Sequence, residues 1–303
     1  MHKPPAKEQV INCPLCKNNR GIFIGKPKIS SESSGFIRYD YSVVKCLNCG
    51  YYFINPSIDF TLEEWKTLYN SAYFAEMTTW HQKQRITDIK TRLDKINNYC
   101  SSKIENFLDV GCGEGLCLIE AAGRGWNSYG LDITDNRVNG AKMDNINFTA
   151  GNIFKAAYPD NFFDAVYLDS VLEHLTDPVS YLKEINRIIK KGGILYIGVP
   201  NEDSLFNGVK KIFYRLIGST VSEKIKPFYM PYHVGGFNQI SLPAAASKTN
   251  FKINELRNFA AHFEFRKYPV KSSNFWLHLF LLPVDLLAII LRKEIYLEAY
   301  LKK

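Results

Sequence analysis

The chain has 303 residues, of which 46% are hydrophobic and 22% charged, and its formal net charge is +8. That length holds one domain of about 200 residues plus a smaller appendage, and the apolar content suffices for a packed core, which excludes a disordered or fibrous protein. The first residues lack the apolar core of a signal peptide, so we expect a cytoplasmic protein. Acidic residues outnumber basic ones between 105 and 200, so the net positive charge comes from the segments before and after this range. Such basic segments suit contact with anionic substrates, lipid headgroups or RNA.

Two Cys-x-x-Cys pairs lie near the amino terminus, Cys13 with Cys16 and Cys46 with Cys49. Doubled pairs of this spacing supply four thiolates for tetrahedral Zn²⁺, and a shell closed by four ligands leaves no position for water. We therefore predict a zinc ribbon over residues 1–58 with a structural metal. The alternatives are disulfides, which a cytoplasmic setting disfavours, and redox chemistry, which the absence of an adjoining βαβ pattern disfavours.

Two further segments precede the central part of the chain. Residues 29–35, between the cysteine pairs, are rich in serine and glycine and predict an exposed hairpin loop. Residues 61–103 show apolar spacing typical of helices. Tyr69 and Tyr73 lie on that segment, where core packing is the favoured role and contact with a cofactor is the alternative.

An apolar strand then runs into three alternating glycines, Gly111, Gly113 and Gly115, and a second strand ends at Asp132. A turn of this kind brings backbone N–H groups close to a ligand, and a carboxylate one strand over can accept hydrogen bonds from a ribose diol. The loop lacks both the G-x-G-x-x-G spacing of dinucleotide sites and the Gly-Lys-Ser/Thr of phosphate loops. The pattern indicates a nucleotide-like cofactor.

Strand and helix signals continue to alternate after this loop. Residues 163–169 predict a buried strand, and Asp177 and Pro178 are typical of a helix N-cap and first turn. We expect this crossover helix to end at Gly192-Gly193, before a fifth parallel strand over 194–199.

The stretch from Asp109 to Gly115 resembles the first motif of class I S-adenosylmethionine (SAM) methyltransferases, and Leu172-Glu173-His174 resembles a signature of their ubiquinone-type and sugar-type subgroup. The resemblance covers about residues 104 to 200 and implies a Rossmann-like, doubly wound α/β sheet of the class I methyltransferase type. It implies cofactor contacts from Asp109, Gly111, Cys112, Gly113, Gly115, Asp132, Ile133, Asn152, Ile153 and Asp169. Many relatives carry Asp at the position of Asn152, whose amide oxygen can still accept from adenine.

We predict a methyltransferase domain over residues 59–270, with a helical insertion at 201–230, and amphipathic helices over 271–303. The insertion combines an apolar helical face with basic residues, which fits a membrane surface or a cap over the substrate cleft. Three polar residues recur every seven positions near the carboxyl terminus, His278, Asp285 and Arg292. This otherwise apolar segment suits a bilayer interface, a homodimer partner or the protein's own core, and peripheral membrane contact is our preferred interpretation.

The methyl transfer that the resemblance implies requires little general acid–base catalysis. Methyl transfer from a sulfonium releases a neutral thioether, so the only proton to be moved is the acceptor's. His174 and His233 both follow elements of the expected cleft, and each is predicted either as the general base or as a structural residue.

The leading hypothesis is a SAM-dependent methyltransferase whose acceptor is a small molecule, namely the hydroxyl of a sugar or of a lipid- or nucleotide-linked glycan in bacterial envelope biosynthesis. The acceptor class comes from the resemblance alone. One alternative is a zinc-ribbon RNA methyltransferase, which the lack of an Asn/Asp-Pro-Pro-Tyr motif disfavours, so nucleic acid is not the expected partner. The other is a SAM-binding scaffold without turnover.

Overall fold

The computed structural model describes residues 8–69, 82–216, 222, 225–260 and 269–303. Tyr73 and part of the predicted insertion, residues 217–221 and 223–224, lie outside the described residues. Two β-sheets form the frame of the molecule, one in the amino-terminal ribbon and one in an α/β domain.

The ribbon sheet is antiparallel and brings the two cysteine pairs together. Its strands from the amino-terminal segment are β1 (Glu8–Val10), β2 (Arg20–Gly25), β3 (Ser42–Cys46) and β4 (Tyr52–Asn55). The short strand β10 (Gly235–Gly236), from much later in the chain, pairs with β4 and completes the order β1-β2-β3-β4-β10. The ribbon is therefore hydrogen-bonded to the α/β domain.

The larger sheet is the doubly wound sheet that the sequence predicts. Its parallel strands are β5 (Asn106–Val110), β6 (Asn127–Asp132), β7 (Ile146–Ala150), β8 (Phe163–Asp169) and β9 (Ile189–Pro200). Its antiparallel strands are β11 (Lys252–Phe259) and β12 (Tyr296–Lys302). The order is β11-β12-β9-β8-β5-β6-β7, so the winding direction switches between β5 and β8, where open α/β sheets bind their ligands at the carboxyl ends of the strands.

Helices pack on both faces of this sheet. Over the described ranges, the α-helices of the ribbon side and of the α/β domain together are α1 (Ser31–Ser34), α2 (Leu62–Leu68), α3 (Gln82–Tyr99), α4 (Leu116–Gly123), α5 (Ile153–Ala156), α6 (Pro178–Ile188), α7 (Leu205–Leu216), α8 (Ser241–Lys248) and α9 (Ser273–Ile290). Side chains of β8 alternate between two apolar clusters, with Val166 and Leu168 beside α6, and Ala165 and Tyr167 beside α3. This period of two is what a strand covered on both faces requires.

Helix α6 begins as predicted and ends earlier than predicted. The Asp177 carboxylate accepts a hydrogen bond from Ser180 N at 3.1 Å, and Pro178 occupies the first turn. The helix stops at Ile188, before the two glycines, because Ile189 already pairs with Phe163 at the start of β9. Gly192 and Gly193 lie within the strand instead of ending the helix.

Residues 29–35 lie in the connection between the antiparallel strands β2 and β3 and are mostly exposed, as predicted, but they contain the short helix α1. The Ser30 hydroxyl accepts from Ser33 N and caps the short helix α1. The Ser33 side chain is buried and donates to the Phe228 carbonyl at 2.6 Å. The segment is therefore held against the part of the chain that follows α7.

The prediction of amphipathic helices throughout 271–303 is wrong for the last residues. Helix α9 ends at Ile290, and residues 296–302 form β12, which lies inside the larger sheet between β9 and β11. Leu297, Ala299 and Leu301 are buried in its core. A short apolar run is compatible with either a strand or a helix. Here the segment forms a strand because it pairs with β9 on one side and β11 on the other.

Because β12 completes the core, substitutions there are expected to unfold the domain. Leu297→Ala removes a fully buried side chain and is expected to lower the free energy of unfolding by about 2–5 kcal/mol. Ile295→Ala, two residues earlier and half exposed, is the matched control and is expected to cost less than about 1 kcal/mol. Urea denaturation followed by circular dichroism measures both, and equal effects would contradict the central position of β12.

Candidate functional site

The glycine loop follows β5 at the switch point of the sheet. Gly111, Gly113 and Gly115 all have positive φ, at 69°, 50° and 78°. A Cβ atom on Gly111 would lie 2.4 Å from Val171 Cγ2, whereas one on Gly113 would meet nothing within 4 Å. Gly111 is thus required by close packing against the segment after β8, and Gly113 turns toward open space, where a ligand can reach the backbone.

Asp132, at the carboxyl end of β6, is fixed against this loop. Its carboxylate accepts from Gly113 N at 2.8 Å and from Ile133 N at 2.7 Å. Burial raises the pKa of Asp132, and these backbone donors oppose the shift. A carboxylate has about four lone-pair sites, so two remain for the hydroxyls of a ribose.

Three carboxyl groups lie at this edge of the sheet. Burial, and then the charges of Asp169 and Asp132, raise the pKa of Asp109 well above its usual range. Binding of a cation here would favour the ionised form of these acids and so lower their raised pKa values, whereas a phosphate would raise them further. This charge pattern fits the sulfonium and ammonium of SAM and does not fit a pyrophosphate.

Asp169 is held by residues that sequence reasoning did not identify. Its carboxylate accepts from Arg92 Nη1 at 2.7 Å and from the Tyr296 hydroxyl at 2.7 Å. Arg92 Nε also donates to Glu298 Oε1 at 2.7 Å, and Arg257 pairs with the other oxygen of Glu298. No local signal predicts this network, because Arg92 and Glu298 are 206 positions apart and meet only in the folded sheet.

The other predicted cofactor residues differ in what they offer. The Asn152 amide oxygen accepts from Lys155 N at 3.0 Å and so caps α5. The Ile153 side chain is wholly buried in the core, which leaves its backbone for any cofactor contact. Burial raises the pKa of the Cys112 thiol, which keeps it protonated and supports its role as a small packing residue instead of a nucleophile.

His174 and His233 lie together, as a shared site requires. Their ring centroids are 4.8 Å apart. The 3₁₀ turn Leu172–His174 follows β8, and Val234 N donates to the Glu173 carbonyl at 2.9 Å, which brings the loop carrying His233 against it. Two segments far apart in sequence thus supply one imidazole pair.

The two imidazoles have different partners. The Tyr69 hydroxyl bonds His174 Nδ1 at 2.7 Å, whereas His233 Nε2 lies 3.8 Å from Glu173 Oε1. Burial lowers the pKa of His174 to about 4 and that of His233 well below its usual range, so both are neutral at pH 7. Tyr69 therefore has a polar role in addition to the core packing expected for it.

Glu173 is the group of this cluster that sequence reasoning left without a role. It is buried, neither carboxylate oxygen makes a hydrogen bond within the described part of the chain, and burial raises its pKa to about 8. Glu173, His174 and His233 each offer a ligand atom within 4.8 Å of the others, a spacing that also admits a cation.

The four ribbon cysteines converge as predicted. Their sulfur atoms all lie within 4.8 Å of one another, with Cys13 Sγ 3.7 Å from Cys49 Sγ and Cys16 Sγ 3.5 Å from Cys46 Sγ. All four are free thiols, not disulfides. Four sulfur donors around one point are the donor set that Zn²⁺ prefers.

Residues 108–197 match the sequence profile of a methyltransferase domain. The chain is 31% identical over 136 residues to a demethylmenaquinone methyltransferase of Geobacillus stearothermophilus, a match that covers 42% of this chain and 58% of the relative. It is 27% identical over 144 residues to a ubiquinone biosynthesis O-methyltransferase of Nitrosomonas europaea, covering 45% and 57%. The chain thus spans less than two thirds of the length of these relatives.

Solved structures share the fold. A SAM-dependent methyltransferase from Archaeoglobus fulgidus has a TM-score of 0.51 at 19% identity, covering 72% of this chain and 94% of that one. A plantazolicin methyltransferase in complex with SAH and a substrate analogue has a TM-score of 0.52 at 15% identity, covering 80% and 94%. The α/β sheet therefore has the fold of class I methyltransferases, and the profile match over residues 108–197 lies within it.

Proposed function

We propose that this protein is a SAM-dependent methyltransferase that acts on a small-molecule acceptor. The observation that carries the proposal is the bond between Gly113 N and the Asp132 carboxylate, which joins an open glycine turn to a ribose-binding acid at the switch point of the sheet. The buried acids beside this bond favour a cationic cofactor. SAM, when bound, supplies an electrophilic methyl group on a sulfonium.

The chain's own residues position the cofactor. Asp132 would accept from the ribose hydroxyls, the backbone of the 111–115 turn would contact the methionine part, and binding of that cationic part would favour ionisation of Asp109. Arg92 and Tyr296 hold Asp169 in place at the neighbouring strand end. Such prior fixing of the site lowers the entropy cost of bringing the methyl group and its acceptor into line.

His233 is the general base that the geometry favours. Nδ1 of His174 is engaged with the Tyr69 hydroxyl, whereas Nε2 of His233 faces the Glu173 carboxyl group. A neutral imidazole that is not engaged in a side-chain hydrogen bond of this kind is a suitable general base for a hydroxyl near pH 7. At a pH above about 8, where Glu173 is ionised, its carboxylate would stabilise the imidazolium that forms when His233 takes the acceptor's proton.

The acceptor class has two candidates. A glycan hydroxyl, soluble or lipid-linked, follows from the resemblance of Leu172-Glu173-His174 to the ubiquinone-type and sugar-type subgroup. A prenylated quinone precursor is favoured by the curated relatives, whose names refer to menaquinone and ubiquinone biosynthesis. Both are small molecules, and the lipid-linked glycan and the quinone precursor each combine an apolar part with a polar part.

Labelling of fractionated bacterial extract with tritiated methyl-SAM distinguishes these classes. Label in nucleotide-sugar or glycolipid fractions supports the glycan acceptor, and label in the quinone fraction supports the second candidate. Salt-sensitive labelling of RNA would contradict both. SAM binding without labelling of any fraction, with and without EDTA, would indicate a scaffold.

We infer that the ribbon holds structural zinc and positions the loop that carries His233. Strand β4 pairs with Gly235 and Gly236, two residues after this histidine, and the Tyr51 ring packs on Phe237 at 4.9 Å. Cys13, Cys46 and Cys49 belong to the same apolar cluster as the core of the α/β domain. The metal would thereby stabilise one wall of the acceptor cleft.

Asp132→Asn is expected to weaken SAM binding about 10-fold to 100-fold, because a charged acceptor of the ribose hydroxyls is lost. Isothermal titration calorimetry with SAM and its demethylated product measures the change. Asp135→Asn, three residues later and exposed, is the control and is expected to leave affinity nearly unaltered. If the unaltered protein does not bind SAM, the proposed function is contradicted.

The pH profile tests the base. Because the pKa of His233 is depressed, its neutral form persists as pH falls, and the acid limb of kcat/KM is expected below pH 6.5, the ordinary histidine value. His233→Asn is expected to lower kcat by about 10²-fold to 10⁴-fold and to remove this limb. His174→Asn is expected to have a smaller effect, and the opposite ranking would assign the base to His174.

Cys46→Ser is expected to release zinc, measured by mass spectrometry at about one ion per chain in the unaltered protein. It is expected to lower Tm and kcat while SAM affinity persists, since the glycine turn lies on other elements. Cys100→Ser, outside the four-cysteine cluster, is the control and keeps zinc. Retention of the metal by the Cys46 variant would contradict the assignment.

A further inference from the structure

Helix α9 exposes the face that a helix in water ordinarily buries. Trp276, Phe280, Leu287 and Ile290 follow helical spacing along one side, and Phe280 and Ile290 are 79% and 76% exposed. Among the described residues, this is the helix long and apolar enough to cross a membrane, with a mean hydropathy of 1.7 and only 6% of it buried. So large a contiguous apolar surface on a folded protein marks an interaction site.

The polar residues of α9 lie on the opposite side. His278 and Asp285, seven positions apart, are only partly exposed, and Ala288, one turn after Asp285, is buried. The amphipathic pattern is therefore inverted, with polar groups toward the protein and apolar groups outward. Water does not stabilise this orientation, whereas an apolar medium does.

Helix α7 enlarges the same surface. It packs against α9, and its residues Val209, Ile212 and Leu216 are exposed, the last at 80%. These positions follow one another at three and four residues, so they form a single stripe. Together the outward faces of α7 and α9 make one apolar surface, which we call the α7–α9 face.

Basic residues stand at both ends of α9. Lys271 precedes the helix, Arg292 and Lys293 follow it, and all three are exposed. Cations flanking an apolar helix match the negative headgroups of an anionic bilayer. They oppose self-association, because pairing two copies of α9 in either direction sets basic ends beside basic ends.

We propose that the α7–α9 face docks on the surface of an anionic lipid bilayer. The helix lies in the interface and does not span it, because α9 packs against α7 and the strands that precede and follow it, β11 and β12, pair with each other at Phe259 and Tyr296. Insertion of Trp276 and Phe280 among the acyl chains supplies the apolar contribution, and the flanking cations supply the electrostatic one. This assignment does not depend on which acceptor is methylated.

Vesicle flotation of the full chain tests the proposal. The protein is expected to float with phosphatidylcholine vesicles that contain phosphatidylglycerol, and to bind pure phosphatidylcholine more weakly, with the difference lost at high salt. The double variant Trp276→Glu/Phe280→Glu is expected to lose about tenfold or more of its vesicle binding. Phe154→Glu, at an exposed aromatic of α5 outside this face, is the matched control and is expected to float like the unaltered protein.

Two further measurements keep the result interpretable. Calorimetry with SAM is expected to give the same affinity for the double variant, which separates lost docking from lost folding and from failure of the proposed activity. Equal flotation of the double variant would overturn the proposal. So would a dimer that dissociates on the double substitution, measured by sedimentation, in a protein that never binds vesicles.

Discussion

The contact between Gly111 and Val171 is the constraint on which the site depends. A side chain at 111 would collide with Val171, so glycine alone allows the turn after β5 to touch the segment after β8. That segment continues directly into Glu173 and His174. The cofactor turn and the histidine cluster are therefore adjacent because one backbone approach permits it, and Asp132 fixes the turn from its other side.

Charge is distributed around this contact in two different ways. Asp109 and Asp132 remain beside the turn with raised pKa values, ready to be compensated by a cation. Asp169 is compensated within the protein by Arg92, which also joins α3 to β12 through Glu298. A buried ion pair of this kind adds little net stability, but removal of one partner is costly, so it fixes the strand ends in one arrangement.

The ribbon and helix α9 are both connected to the elements that carry the candidate site. The ribbon is bonded through β4 to the loop that carries His233, and its cysteines share the apolar core of the α/β domain. Helix α9 lies between β11 and β12 in the chain, and these two strands pair with each other. The proposed lipid-binding helix is therefore connected directly to the larger sheet.

The sequence by itself determined the features that depend on local spacing. The alternating glycines, the two cysteine pairs and the Asp-Pro helix start predicted the turn after β5, the two cysteine knuckles and the start of α6, because each needs only neighbouring residues. The tertiary structure alone decided the Arg92–Asp169–Glu298 network, the meeting of Glu173 with His233, the strand at 296–302 and the outward face of α9. These depend on strand order, which joins residues far apart in the chain, and on which side of an element the rest of the molecule covers.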